Sequence, residues 1–332
     1  MHARMRIGKV ALMSVAALGM VACGGHDSGV SRAAEKTSAP AQTAAVPHAP
    51  PASETGGFDG QRAYDHVKDL VAFGPRPPGS GAIRRAQAYI ISQLKSHGCP
   101  VEEHDFHAQT AIGEIAMKNI VVKIPGKSPG IVLYSTHYDT LRMPNFVGAD
   151  DGGSGTGTLL ELARVLCERK PALNVWIAFF DGEEAQGNWT NHDSVQWTDE
   201  NATFGSREMA ASMALSGDLK RLKAMILADM IGPANLEIKP EANSTGWLTN
   251  LIWEVAARLG YSKVFVKEAI PAVDDDHMSF IRRGAAGCDL IDFDYPYWHT
   301  PQDTLDKLDT RSLAIVGHVL LETLPELEKK FR

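Results

Sequence analysis

Val175-Trp176-Ile177-Ala178-Phe179-Phe180-Asp181-Gly182-Glu183-Glu184 is the stretch from which the fold can be read. Six successive apolar residues, β-branched and aromatic for the most part, fit a strand buried on both faces in a parallel sheet. Asp181-Gly182 is a turn dipeptide, so the strand stops there and presents two adjacent carboxylates. Ligands of open α/β sheets bind beyond the carboxyl ends of the strands, where Glu183 and Glu184 fall. Two like charges side by side repel. A solvated acidic loop tolerates such a pair in water, whereas a metal ion would neutralise it, with one Glu as ligand and the other free to move protons. The pair alone does not choose between these.

Outward from this strand the pattern repeats. Residues 131–135 read as another buried strand, followed by His137, Asp139 and the loop Gly148-Ala149-Asp150-Asp151-Gly152-Gly153. A helix over 156–167 then leads into the 175–180 strand, and strand–helix–strand in this order gives a right-handed crossover and a parallel sheet. Residues 224–228 form a third such strand ending in Asp229, and 288–291 a last one leading to Tyr297-Trp298-His299-Thr300. Helices are expected over 58–73, 82–97, 206–215 and 245–259, with a short one running from Asp274 to Arg283. Further strands are expected over 101–107, 119–124 and 263–267. A final helix begins near Thr310, and Pro325 should kink or end it. The expected architecture is a single α/β domain over residues 58–332, a three-layer α/β/α sandwich with a mostly parallel central sheet.

The N-terminus reads differently. Arg4, Arg6 and Lys9 precede an apolar run over 10–22 that is too short to span a membrane and suits a signal sequence. Met20-Val21-Ala22-Cys23-Gly24 resembles a bacterial lipobox, with Cys23 as the lipidated first residue of the mature chain. A plain secretory signal with a coincidental cysteine is the alternative. Residues 24–57 are rich in Ala, Pro, Ser, Thr and Gly without apolar period, and are expected to be a disordered tether. The expected location is extracytoplasmic, in a bacterial periplasm or cell envelope, with membrane contact only through the lipid anchor. The formal charge of −7 argues against nucleic acid as a partner. Beyond Cys23, only Cys99, Cys167 and Cys288 remain, which makes no disulfide framework. Cys167 and Cys288 lie in apolar segments and are expected to be buried thiols.

Five strand ends or loops deliver ligand-type residues: His137, Asp151, Glu184, Asp229 and His299. Each alone has an ordinary reading. A histidine after a strand can simply be hydrogen-bonded, Asp151 can cap the following helix, and Asp229 can serve a turn. Together they are the carboxylate and imidazole set that zinc takes, brought to one edge of one sheet.

The order His137-x-Asp139, Gly148-Ala149-x-Asp151, Glu183-Glu184, Asp229 and His299 resembles the zinc-dependent aminopeptidase superfamily, the M28-type enzymes. These include aminopeptidases and the animal-type glutaminyl-peptide cyclotransferases. The likeness to the cyclases rests on Phe179-Phe180-Asp181-Gly182-Glu183-Glu184-Ala185 with Trp189, on Asp275-Asp276-His277, and on Trp298-His299-Thr300. It implies a phosphorylase/hydrolase-like fold and one zinc held by Asp151, Glu184 and His299. It also implies Glu183 as proton shuttle, Asp229 and Asp275 hydrogen-bonding around it, and Trp189 and Trp298 as pocket walls. The chain departs from the animal enzymes in three places. Asp289 stands where they have a His on the last strand, the loop between Ser194 and Phe204 is longer, and Thr136 occupies one position of their cysteine pair.

Cyclising an N-terminal glutamine requires a polarised γ-amide carbonyl, a neutral α-amine and a protonated leaving ammonia. Attack within one residue needs no activated water, only a folded-back side chain. The rival reading is an aminopeptidase, in which His137 and Asp229 hold a second zinc, Asp151 bridges and Glu183 activates water. A third is a surface lipoprotein that keeps the fold without catalysis. Its signature would be the loss of Glu183 or His299, and both are present. For either enzyme the expected substrate is a peptide or protein N-terminus.

Overall fold

Six strands make one sheet in the order β1-β2-β4-β3-β5-β6 in the computed structural model, which describes residues 49–331 apart from 188–196 and 199. The strands are β1 (Val101–Thr110), β2 (Gly113–Ile124), β3 (Ser128–His137), β4 (Leu173–Phe180), β5 (Leu222–Asp229) and β6 (Gly287–Ile291). β4, β3, β5 and β6 are parallel to one another, while β2 runs antiparallel to both β1 and β4. Alternate residues of each strand face opposite layers, as the period of two demands. Val132, Tyr134, Val175, Ile177 and Phe179 enter the larger core with helices α1 (Gly60–Val71), α2 (Gly81–Ser96), α3 (Gly153–Cys167), α5 (Gly246–Arg258) and α7 (Thr310–Phe331). Ile131, Leu133, Trp176, Ala178 and Phe180 pack on the other face, against α4 (Phe204–Ser216) and α6 (Met278–Ile281). This is the expected three-layer sandwich, with unequal outer layers.

The chain leaves β3 through α3 to reach β4 on one side, and leaves β5 through α5 to reach β6 on the other. Neighbours β3 and β5 therefore flank the point where the winding reverses, and a crevice opens beyond their carboxyl ends. His137 and Asp229 are the last residues of those two strands.

Several expectations are corrected. Residues 263–267 form no strand; Phe265 makes a single bridge to Ile238, and its ring packs edge-on at 5.3 Å against Trp253. The apolar run there serves burial under α5 rather than sheet pairing. α7 continues through Pro325 to Phe331, its last turns pinned by Glu328, which accepts from the backbone of Ala172 and Leu173. Cys167 is no free thiol: it forms a disulfide with Cys99, joining the segment after α2 to the end of α3. Cys288 is a buried free cysteine, as expected. The end of the expected tether is ordered. Thr55 is fully buried, and the carbonyls of Gly56 and Gly57 accept from Arg169 and Arg164 at 2.7 Å. Cys23 and the rest of the leader lie outside the described residues. Among the described residues no helix is long and apolar enough to cross a membrane.

Candidate functional site

β3 delivers His137 with its imidazole fully buried. Nε2 lies 3.1 Å from Asp229 Oδ1 and 3.2 Å from Asp151 Oδ1, while Nδ1 lies 3.5 Å from Asp139 Oδ1. Asp151 comes from the loop before α3, and Gly152 is what lets that loop approach. Its φ is +75°, and a Cβ there would sit 2.6 Å from the Asp139 carbonyl and 2.9 Å from His137 Cε1. The loop is held from below by Asp303, whose two oxygens accept from the amides of Asp150 (2.9 Å) and Asp151 (3.1 Å). Arg76 secures it from the other side. The fully buried guanidinium donates to the carbonyls of Tyr138 (2.8 Å), Val147 (2.5 Å) and Gly148 (2.9 Å), tying the exit of β3 to the approach to Asp151.

β4 delivers the carboxylate pair. Asp139 grips its backbone, Oδ1 accepting from Glu183 N at 3.1 Å and Oδ2 from Glu184 N at 3.3 Å. Glu184 then spends Oε1 on the amide of Leu141. Its Oε2 and Asp151 Oδ2 point at His299 Nε2, at 3.3 and 3.5 Å, and make no other hydrogen bond among the described residues. His299 adopts φ +51°, a left-handed conformation that costs a non-glycine residue about 1–3 kcal/mol and persists only where its surroundings impose it. Trp298 stacks on its ring at 4.2 Å, and Thr300 bonds back to Tyr297 through both its amide and its hydroxyl.

Two donor sets result, Asp151–Glu184–His299 and His137–Asp151–Asp229, each with its ligand atoms within 4.8 Å of one another and both sharing Asp151. Atoms bound to a tetrahedral zinc at about 2.0–2.1 Å lie about 3.3 Å apart, so the 3.3 and 3.5 Å separations from His299 match, as do the donor types. Two buried carboxylate oxygens facing one imidazole nitrogen are groups a cation would satisfy. Zinc fits this site.

Burial sets the electrostatics. It pushes the Glu183 carboxyl well above its usual range; His137, 3.8 Å away, pulls it down, while Asp275, Glu184 and Asp276 push it further up. Burial, then Asp229, raise Asp275 to about 6, and burial with Glu184 raises Asp151 to about 7. Burial works to lower His299, but Glu184 and Asp151 outweigh it and bring the imidazole up to about 9. His137 is likewise disfavoured as a cation by burial and carried well above its ordinary value by Glu183 and Asp229. Arg76 is lowered by burial to about 10, against the pull of Asp139, Asp303, Asp151 and Glu184, and brings a positive charge beneath this carboxylate group.

A cavity of ≈ 790 Å³ opens over these groups, lined by Glu183, Asp151, Asp229 and Asp275 and walled by apolar side chains including Ile270, Phe293 and Trp298. Trp189 lies outside the described residues. Trp197, from the same loop, stands in the wall instead, a placement the sequence did not signal. Asp229 was expected either to bond around Glu183 or to hold a second metal with His137; its Oδ1 lies against His137. Asp303 and Arg76 were also missed. Asp303 had a faint signal, four residues after His299 in a turn-rich segment, whereas Arg76 stood in a Gly-Pro loop with nothing to mark it.

Comparison with known proteins agrees with this geometry. A glutaminyl-peptide cyclotransferase of Drosophila melanogaster is 29% identical over 274 residues, which cover 73% of this chain and 75% of that protein. The crystal structure of an Acidobacteriales bacterium glutaminyl cyclase matches with a TM-score of 0.76 at 36% identity, covering 88% of this chain and 99% of that one. A Zn-dependent exopeptidase from Parabacteroides distasonis matches with a TM-score of 0.73 at 29% identity, over 84% of this chain and 99% of its own. The sequence model of Peptidase family M28 matches residues 119–324, a span that holds all five strand-end ligand candidates and the four parallel strands β3, β4, β5 and β6. On that match the chain belongs to peptidase family M28.

Proposed function

We propose that the chain is a zinc-dependent glutaminyl-peptide cyclotransferase, closing the N-terminal glutamine of peptides or proteins to pyroglutamate. In this reaction the α-amine nitrogen bonds to the γ-amide carbon, the γ-carbon–nitrogen bond breaks, and ammonia leaves. The observation that carries the reading is Glu183: a buried carboxyl beside the Asp151–Glu184–His299 donors, facing an apolar-walled cavity. One zinc held by Asp151, Glu184 and His299 would supply Lewis-acid polarisation of the γ-amide carbonyl.

The chain's own residues do the rest. Glu183 takes a proton from the attacking amine and gives it to the departing nitrogen, a round trip that its raised pKa suits. Asp229 and Asp275 line the cavity beside it, and the Asp275 carboxylate helps hold the Glu183 pKa up. Trp298 in the cavity wall, with Trp189 as the second wall of this proposal, holds the glutamine side chain folded back and excludes water that would compete with the amine. The substrate amine must arrive neutral, so the rate should rise from acid toward mildly alkaline pH as an α-amine of pKa about 8 loses its proton.

A second reading has an observation of its own. His137, Asp151 and Asp229 also bring ligand atoms within 4.8 Å, which is what a two-zinc aminopeptidase would use, with Glu183 taking a proton from water. Zinc-loaded protein incubated separately with Gln-initiated and Leu-initiated peptides distinguishes the two. Ammonia from the first and no free leucine from the second supports the cyclase; free leucine without pyroglutamyl product assigns the peptidase.

The same proposal places the enzyme outside the cytoplasm, acylated at Cys23. The Cys99–Cys167 disulfide supports an oxidising compartment. Cells fed a fatty-acid probe should label the parent chain and not its Cys23→Ser form; equal labelling refutes the anchor.

A further inference from the structure

At the opposite end of the sheet the surface has the reverse character. A groove of ≈ 630 Å³ opens where β5 and β6 begin, bounded by the ends of α4 and α7 and the start of α5. Lys220, Lys223, Arg283 and Lys330 line it, and no carboxylate does. None of the four forms an ion pair among the described residues. Lys223 and Lys330 lie instead over the rings of Phe331 and Trp247, at 5.9 and 4.8 Å, and Arg283 donates to a backbone carbonyl. Their neighbours behave differently: Arg221 is paired with Asp218 and Lys329 with Glu326. In a chain of net charge −7, four uncompensated cations in one groove are a local exception.

A second, independent observation sits at its edge. Three large hydrophobic side chains are exposed among the described residues: Leu215 (91%), Phe293 and Trp298. Phe293 and Trp298 wall the catalytic cavity, where substrate would cover them. Leu215 is far more exposed than either and lies beside Ala214, which lines the basic groove. A protruding aliphatic side chain next to unpaired lysines and aromatic rings matches a surface that is apolar just below a layer of phosphates.

We propose that this face docks on an anionic lipid membrane, with Lys220, Lys223, Arg283 and Lys330 on the headgroups and Leu215 inserted between them. The orientation follows from the fold. β5 starts at the groove with Leu222 and ends at the cavity with Asp229, roughly 23 Å away at about 3.3 Å per residue. Docking therefore turns the catalytic cavity away from the lipid and leaves it open to peptide N-termini. A second copy of the chain is disfavoured as the occupant, since two such basic faces repel. The inference does not depend on which reaction the cavity catalyses.

The test uses the chain from residue 23 onward carrying Cys23→Ser, so that neither signal segment nor acyl group contributes. It is mixed with vesicles of phosphatidylcholine alone or of phosphatidylcholine with phosphatidylglycerol, and the bound fraction is read by co-sedimentation. Binding is expected only with phosphatidylglycerol present, weakening as salt is raised. The triple variant Lys220→Gln, Lys223→Gln, Lys330→Gln should lower the partition coefficient on the order of 10²-fold. Leu215→Ser should lower it about tenfold. Turnover of a soluble peptide should be unchanged in both variants, which also shows that they fold. Equal binding to both vesicle types, or parental binding by the triple variant, overturns the proposal. So does a dimer in sedimentation velocity that the triple variant dissolves, which would assign the face to a second copy.

Discussion

The two donor sets that share Asp151 differ in how they are balanced. In the His137–Asp151–Asp229 set a buried imidazole already lies between two carboxylates, 3.2 and 3.1 Å away, on a strand that fixes its position. Protonated, His137 is itself the cation of that set; against the effect of burial, Glu183 and then Asp229 carry its pKa well above the ordinary value. In the Asp151–Glu184–His299 set two carboxylate oxygens face one imidazole whose side chain is 20% exposed at the cavity and whose backbone is held in a left-handed conformation. Glu184 Oε2 and Asp151 Oδ2 make no other hydrogen bond among the described residues, and Asp151 and His299 line the cavity, so the second arrangement is the one we propose for the ion. Similar residue types therefore build two sets, one closed within the sheet around His137 and one open to the cavity at His299.

The sharpest way to break this comparison is to remove what the sets share. Asp151→Asn should abolish zinc binding and leave less than ~10⁻³ of the parent rate, since Lewis-acid and charge stabilisation are lost together. Retained zinc in that variant would mean that neither set is the metal site. Next is Glu183→Gln, expected to keep zinc and lose ~10²–10⁴-fold in turnover, the scale of general acid–base work. Glu184→Gln should show the reverse order of damage, metal first. Metal analysis beside steady-state rates checks both, and exchanged roles would contradict the assignment of the pair.

Much of this was legible before the structure because the chemistry sits at the ends of apolar runs. Each run ending in His137, Glu183-Glu184 or Asp229 gave a strand and a ligand candidate together, and one sheet edge gathers them. What stayed hidden depends on contacts distant in sequence. Asp303 bonds to amides more than 150 residues away, and Arg76 to carbonyls more than 60 away. The Cys99–Cys167 disulfide spans 68 residues and depends on α2 and α3 lying side by side. Residues 113–118 of β2 went unseen because Ile115 and Met117 pack on a small cluster at the sheet's edge, with Glu114 and Lys118 flanking them. The strand expected over 263–267 failed for the opposite reason, since burial without pairing looks the same in sequence.

A smaller effect sharpens the comparison through pH. In the metal-free chain Asp151 is raised to about 7, Asp275 to about 6 and His299 to about 9. All three hold protons more tightly folded than unfolded. Their contribution to stability is therefore full below the unfolded values and lost as pH rises through the folded ones. The Tm of metal-stripped protein should fall between about pH 4 and pH 9, and zinc should raise it more at pH 8 than at pH 5. A metal-free Tm that rises with pH over this range would show that the carboxylates are not held as described.

The smallest effect is expected at Asp289, the departure from the animal enzymes. Its carboxyl is fully buried without a hydrogen bond among the described residues, and burial with Asp275 and Asp229 drives its pKa well above the usual range. A carboxyl held neutral is close to an amide in shape and charge, so Asp289→Asn should stay within about tenfold of the parent rate. A larger loss would show that the proton on Asp289 is used.

Native mass spectrometry of the zinc-loaded chain beside its Asp229→Asn form tests the central claim most directly. One zinc in each is the predicted result, since Asp229 belongs to the set that His137 already balances. Two zincs in the parent falling to one in the variant would contradict it and make the site a two-metal peptidase centre.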